Sequence, residues 1–264
     1  MDLGFADATA VIAGGTRGIG LATAVCLAEQ GARVAVVGRN EAHLTKTAAM
    51  LAAAGSPEVL TLAADLRSAP DVDAVFETVG ARWGALNVLV NTAGPVGAGR
   101  FEDLDDAGWA AAFDHGVVSA VRCVRAALPL LRAAPWARVV NVTAMSVQHQ
   151  SAELVSYTAA KSALLSVTKN LARSLAGDAI LVNAVAPGPI LTDWARPTLA
   201  AAGVPMDDPV GAFGLLGRDY GMSVDLGRFG LPQEVAAVIA FCASRANTYM
   251  TGAHLNVDGG SDFL

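Results

Sequence analysis

Tyr157 and Lys161 stand four positions apart at the start of an Ala-rich stretch with helical periodicity. On a helix that spacing puts both side chains on one face, about 6 Å apart at Cβ. A free tyrosine titrates at about 10, too high for acid–base work at neutral pH, and a neighbouring ammonium stabilises its phenolate. The pair therefore reads as a tyrosine acid tuned downward by its lysine, although a Y-x3-K pair on a helix is common. A second chemical signal is AGGTRGIG (13–20), where an apolar run meets a helical one. Its spacing, Gly14-x3-Gly18-x-Gly20, lacks the third glycine of G-x-G-x-x-G, since Thr23 stands there. Glycines at such a turn let the backbone approach a pyrophosphate whose charge rests on the helix N-terminus. A tight turn without a ligand would use glycine too.

The next apolar run ends Gly38-Arg39-Asn40, where an NAD-preferring site would carry an Asp or Glu for the ribose hydroxyl. With Arg17 in the glycine turn, two guanidiniums and no carboxylate suit a 2′-phosphate, so NADP is the expected cofactor.

These residues need a frame to bring them together. Seven short, Val-rich runs read as strands buried on both faces: 8–13, 32–38, 58–63, 85–91, 137–143, 180–186 and 254–258. Amphipathic segments at 19–30, 41–54, 69–82, 105–132, 155–176 and 232–244 read as helices between them. Gly31, Gly55 and Gly177 stand where helices should end, and Asp71 and Pro232 where they should begin. This alternation predicts an α/β fold, a doubly wound parallel sheet of about seven strands with helices on both faces, in one domain. Residues 193–225 break the rhythm with Pro197, Pro205 and Pro209 among apolar and aromatic side chains including Trp194, Phe213, Tyr220 and Met222. An irregular insertion after a strand's carboxyl end reads as a substrate lid, with a subunit-contact loop as the alternative.

Composition narrows the class. Of 264 residues, 53% are apolar and 16% charged, which excludes intrinsic disorder and leaves more apolar surface than a monomer readily hides. The net charge of −6 with scattered Lys and Arg argues against nucleic acid and anionic membranes. No leader is evident and no run approaches the ~20 apolar residues of a membrane span. Cys26, Cys123 and Cys242 are far apart in apolar helical patterns and read as reduced core residues, so a cytoplasmic protein without a metal is expected.

In order along the chain stand the glycine turn, Asp65-Leu66, Asn91-Thr92-Ala93-Gly94, Tyr157-x3-Lys161, Pro187-Gly188-x3-Thr192 and TGAHLNVDGG (251–260). This set resembles the short-chain dehydrogenase/reductase family over essentially the whole chain, its 3-oxoacyl reductase-like members in particular. Enoyl reductases of that family usually space tyrosine and lysine more widely. The resemblance implies that Gly14, Thr16, Arg17, Gly18, Ile19 and Gly20 meet the pyrophosphate and adenosine, and that Arg39 beside Asn40 meets the 2′-phosphate. It implies that Asp65 and Leu66 flank the adenine, that Asn91 supports the sheet near the nicotinamide ribose, that Ala93, Gly94, Pro187 and Gly188 belong to the cofactor site, and that Ile190 and Thr192 orient the carboxamide. Tyr157 would donate the proton and Lys161 would hold the ribose.

Two positions depart from the family pattern. Ala144 stands where a serine usually polarises the substrate carbonyl, and Gly116, seven residues after Trp109, where an asparagine is usual. Thr143 should point to the opposite face of its strand, so Ser146 is the expected substitute hydroxyl; His115 and His149 read as structural. The resemblance implies an NADP(H)-dependent reductase or dehydrogenase of a ketone or secondary alcohol, with a hydrophobic substrate such as a 3-oxoacyl thioester. The alternative, which Ala144 and Gly116 favour, is an NADP-binding sensor or partner subunit without strong catalysis. Apolar residues on several faces of 105–132 and 155–176 predict a homotetramer, with a dimer as fallback.

Overall fold

Each of the seven apolar runs forms a strand of one parallel sheet in the computed structural model, which describes residues 2–94, 99–219 and 223–261. The strands are β1 (Thr9–Ala13), β2 (Arg33–Gly38), β3 (Val59–Ala63), β4 (Val88–Asn91), β5 (Ala137–Val142), β6 (Ile180–Pro187) and β7 (His254–Val257). They lie in the order β3-β2-β1-β4-β5-β6-β7. Register is set by runs that are apolar on both faces: Ala10, Ile12, Val34 and Val36 enter one core, and Val11, Ala13, Ala35 and Val37 the other.

Helices α1 (Gly18–Glu29), α2 (Glu41–Ala53) and α9 (Pro232–Ala243) cover the first core through Leu27, Leu44, Leu51 and Ile239. Helices α3 (Ala69–Trp83), α5 (Ser119–Ala133) and α6 (Val155–Ser174) cover the second through Val75, Phe76, Val124 and Ala172. The strand order reverses between β1 and β4, and the crevice above such a reversal, at the carboxyl ends of the strands, is where doubly wound sheets bind ligands. Chain order thus delivers the glycine turn, Arg39, Asp65, Thr92, Thr143 and Thr192 to one edge.

Four details differ from the sequence reading. The helix expected over 105–132 is two, α4 (Asp106–Phe113) and α5, joined by a π-helical turn over Asp114–Val118 that contains Gly116; π-turns of this kind are frequent at functional sites. The first residue of α3 is set by Ser68 rather than Asp71, because the Ser68 side chain accepts from the Asp71 N–H. Helix α6 stops at Ser174, and Gly177 falls in a short 3₁₀ turn before a left-handed Ala179. The insertion is not irregular: it carries α7 (Arg196–Ala202) and α8 (Pro209–Asp219), which close a small core of Leu191, Ala195, Leu199, Ala212, Leu216 and Phe229. Tyr220 and Met222 of that insertion lie outside the described residues.

The three cysteines are free, and burial pushes the thiols of Cys123 and Cys242 up to about 12. No helix among the described residues is long and apolar enough to cross a membrane.

Candidate active site

The turn after β1 is built for close approach. Gly14 has φ +90°, and a Cβ there would lie 2.9 Å from the Ala93 nitrogen and from Thr92 Oγ1. A Cβ on Gly20 would lie 2.3 Å from the Gly14 carbonyl oxygen. A side chain at either position would close the cradle in front of the α1 N-terminus, which is the observation that fits a dinucleotide pyrophosphate.

Two cavities share this cradle. One, of about 600 Å³, is lined by Gly14, Arg17, Gly18, Ile19, Gly20, Thr92 and Gly94, and by Tyr157, Lys161, Pro187, Gly188, Ile190 and Thr192. The other, of about 660 Å³, continues toward β2 and β3 and is lined by Gly14, Thr16, Arg17, Arg39, Asn40, Asp65, Leu66, Ala93 and Gly94. The residues singled out as a cofactor set therefore fall along one continuous cleft, with Asn91 apart from them. Its side chain is buried and donates to Asn141 Oδ1 at 2.9 Å, and Asn141 in turn donates to Thr168 Oγ1 at 2.9 Å. Asn91 thus supports the sheet from within instead of lining either cavity.

Electrostatics divide the cleft. At the β2 end, Arg67 forms a bidentate ion pair with Asp65, 2.5 Å at its shortest, and holds that carboxyl down at about 2. The carboxylate that could have met a ribose hydroxyl is thereby matched by its own arginine. Neither Arg17 nor Arg39 is in an ion pair with any described residue. Two unmatched guanidiniums in one cleft wall suit a phosphate.

At the other end, Lys161 is buried and donates to the Val142 carbonyl oxygen at 2.8 Å, and a Cβ on Gly94 would come within 2.8 Å of its Nζ. The Lys161 Nζ lies 5.9 Å from the centroid of the Tyr157 ring. Burial lowers the ammonium to about 8 and pushes the Tyr157 phenol up to about 12. The expectation of a phenol brought down by its lysine is corrected here: desolvation of the ring outweighs an ammonium turned toward a backbone carbonyl. In this state the phenol keeps its proton.

The hydroxyls around Ala144 are committed elsewhere. Thr143 lines the cavity, but its Oγ1 donates to the Val185 carbonyl at 3.2 Å and lies 3.0 Å from His254 Nε2. The expectation that Ser146 supplies the missing donor meets a different geometry, since Ser146 follows the strand in a 3₁₀ turn (Met145–Val147). Its buried Oγ accepts from Thr158 Oγ1 at 3.2 Å, and Ser146 is not among the residues lining the cavity.

Several lining residues were not singled out from sequence. Trp194 borders the Tyr157 cavity with its indole N–H donating to the Ile190 carbonyl at 3.2 Å and its ring edge-on to Phe229. Val142 and Pro189 also line this end, and His43, His115 and Ser119 line the other. Thr92, within the quoted Asn91–Gly94 motif, borders both. Trp194 stands in the insertion read as a lid, and His115, read as structural, lines the cofactor-side cavity instead; nothing local marks His43.

A family model described as Enoyl-(Acyl carrier protein) reductase matches residues 13–262. The 3-oxoacyl-[acyl-carrier-protein] reductase of Synechocystis sp. is 32% identical over 255 residues, 95% of each chain. Cis-4-hydroxycyclohexanecarboxylate dehydrogenase of Sinomonas cyclohexanicum is 34% identical over 97% of each chain. Among solved structures, L-sorbose reductase from Gluconobacter frateurii, complexed with NADPH and L-sorbose, superposes with a TM-score of 0.91 at 32% identity over the full length of both chains.

Proposed function

The chain belongs to the short-chain dehydrogenase/reductase family, and from that membership we propose an NADP(H)-dependent oxidoreductase that moves a hydride between the nicotinamide and a ketone or secondary alcohol. The observation that carries the reading is the placement of Tyr157 beside a buried Lys161, in the wall of the same cleft as the glycine cradle. A protein that only held a dinucleotide would have no use for an acid there.

When bound, the nicotinamide supplies or accepts the hydride. Around it the glycine turn (Gly14, Thr16, Arg17, Gly18, Ile19, Gly20) would receive the pyrophosphate, Arg39 and Asn40 would meet the 2′-phosphate, and Asp65 and Leu66 would flank the adenine, all of them lining the cleft. Ala93, Gly94, Pro187, Gly188, Ile190 and Thr192 shape the nicotinamide end. Tyr157 holds its proton until negative charge builds on a carbonyl oxygen, a far stronger base than the ground-state ketone, and then donates it. Lys161, which here donates to the Val142 carbonyl, would hold the ribose hydroxyls and keep a positive charge near the phenol.

Trp194, Val142, Pro189 and Ile190 give the substrate end an apolar wall, which supports a hydrophobic carbonyl compound, a 3-oxoacyl thioester among them. Asp193 and Trp194, at the start of the 193–225 insertion, border this end, and we read the insertion as its lid. Exposed Phe113 and Val118 beside α5 support assembly into a homotetramer, expected as a tetramer mass by light scattering at micromolar concentration; a monomer would refute it. Oxidation of NADPH in the presence of a panel of ketones tests the function, and a complete lack of turnover in both directions would favour the sensor or partner-subunit reading that Ala144 and Gly116 suggest.

Arg39→Ala should weaken NADPH binding about 10- to 100-fold and change NADH binding little. Hydrogen bonds to charged groups contribute about 1.5–3 kcal/mol, and only NADPH carries the phosphate that receives them. Calorimetric titration of both cofactors checks this; equal losses for the two would mean that Arg39 serves some part they share.

A further inference from the structure

His115 sits on the π-helical turn between α4 and α5 and lines the β2-side cavity with Gly38, Arg39, His43, Asp65 and Ser119. The Ser119 hydroxyl donates to the His115 carbonyl at 2.7 Å, which ties this turn to α5. Charged groups reach the imidazole from several elements: Arg39 from the end of β2, Asp65 and Arg67 from the loop after β3, and Asp114 from its own turn. Both carboxylates are already engaged, Asp65 by Arg67 and Asp114 by Arg122 of α5 at 2.7 Å. His43 of α2 borders the same cavity.

The imidazole is therefore half-buried in a field with uncompensated positive charge. Burial first, then Arg67 and Arg39, hold it below the ordinary histidine value, so it is neutral at neutral pH. An anion seated on Arg39 would cancel one of these repulsions and present negative charge to the same cavity.

We propose that His115 is a cofactor-sensing residue of this cavity, taking up a proton when the 2′-phosphorylated dinucleotide binds and so coupling the choice of NADP(H) over NAD(H) to pH. The proposal rests on the reading of Arg39 as the phosphate site. Its sign follows from linkage: a ligand that raises the affinity of a group for protons is itself bound more tightly as pH falls. An opposite charge nearby moves a titration by about one unit or more, and one unit is a tenfold change in affinity. Across the histidine range, the NADP(H)-to-NAD(H) affinity ratio should thus fall about tenfold more, on raising pH, in the native protein than in His115→Gln.

The chain has four histidines, so their imidazole C–H resonances can be followed individually by NMR against pH. His115→Gln assigns the signal, and should that variant fail to fold, substitutions of His43, His149 and His254 assign it by elimination. The expected result is a His115 titration below the usual value in the free protein, raised by about one unit with NADP⁺ and unmoved by NAD⁺. A titration unchanged by NADP⁺, or shifted equally by both cofactors, overturns the proposal. Calorimetry of the native protein in two buffers of different ionisation enthalpy, near pH ~6.5, gives a second readout. The native protein should take up more protons on binding NADP⁺ than His115→Gln does, the ionisation of the phosphate itself being common to both; equal counts overturn the proposal. If the native protein produces no binding heat with NADP⁺ at all, the cofactor reading itself fails, which is a distinct outcome.

Discussion

Replacing Tyr157 with Phe should lower turnover by about 10²- to 10⁴-fold while leaving NADPH affinity close to native. A positioned general acid contributes a factor of this size, and it acts only where charge develops. The substitution removes one oxygen and keeps the ring, so the ring's place in the cleft wall, 5.9 Å from Lys161 Nζ, is retained and the fold should be unaffected. The phenol is suited to the role by its place in the cleft wall beside Lys161, and the burial that pushes it up to about 12 is what a positive charge next to it has to offset. Steady-state NADPH oxidation with any ketone the enzyme accepts gives the turnover, and calorimetry gives the affinity. Activity that survives in Tyr157→Phe would mean that the proton comes from another group.

The second large effect runs the other way. Ala144→Ser should raise turnover by about 10²- to 10³-fold, the usual worth of one hydrogen-bond donor aimed at a developing oxyanion. Ala144 is extended, at φ −159° and ψ 152°, 6% exposed, and adjacent to cavity-lining Thr143, and the substitution adds a single oxygen there. Ser146→Ala should be a nearly neutral change for turnover, within about twofold, since Ser146, whose oxygen accepts from Thr158 on α6, does not line the cavity. Measuring kcat for both variants separates two accounts. If Ser146→Ala costs as much as a donor is worth and Ala144→Ser gives nothing, the turn at Met145–Val147 moves during catalysis and delivers Ser146 after all.

Much of this molecule is legible without coordinates because short-range rules suffice for it. A short, Val-rich, mostly apolar run bounded by turn residues reads as a strand covered on both faces, and seven such runs separated by helical segments admit few topologies. Strand ends then fall on one edge of the sheet, so chain order alone brings the glycine turn, Arg39, Asp65 and Thr192 together. The helix boundaries at Ser68 and Ser174 and the two helices of the insertion were harder to read. The α7 segment is short and ends at a left-handed Gly203, and α8 carries Gly211, Gly214 and Gly217, so their helicity depends on packing against Leu191 and Phe229 more than on local preference.

Residue types and spacing by themselves determined the parallel fold, the cradle for a pyrophosphate, the absence of a carboxylate at the end of β2, and a tyrosine and lysine on one helix face. What only the tertiary structure decided is the state of those groups. Burial opposes the lysine and leaves Tyr157 protonated, Arg67 neutralises Asp65 while Arg39 stays unmatched, Thr158 holds Ser146, and His115 joins Arg39 across seventy-odd residues of chain. Desolvation and Coulomb energy depend on distances and on excluded water, and a one-dimensional pattern carries neither.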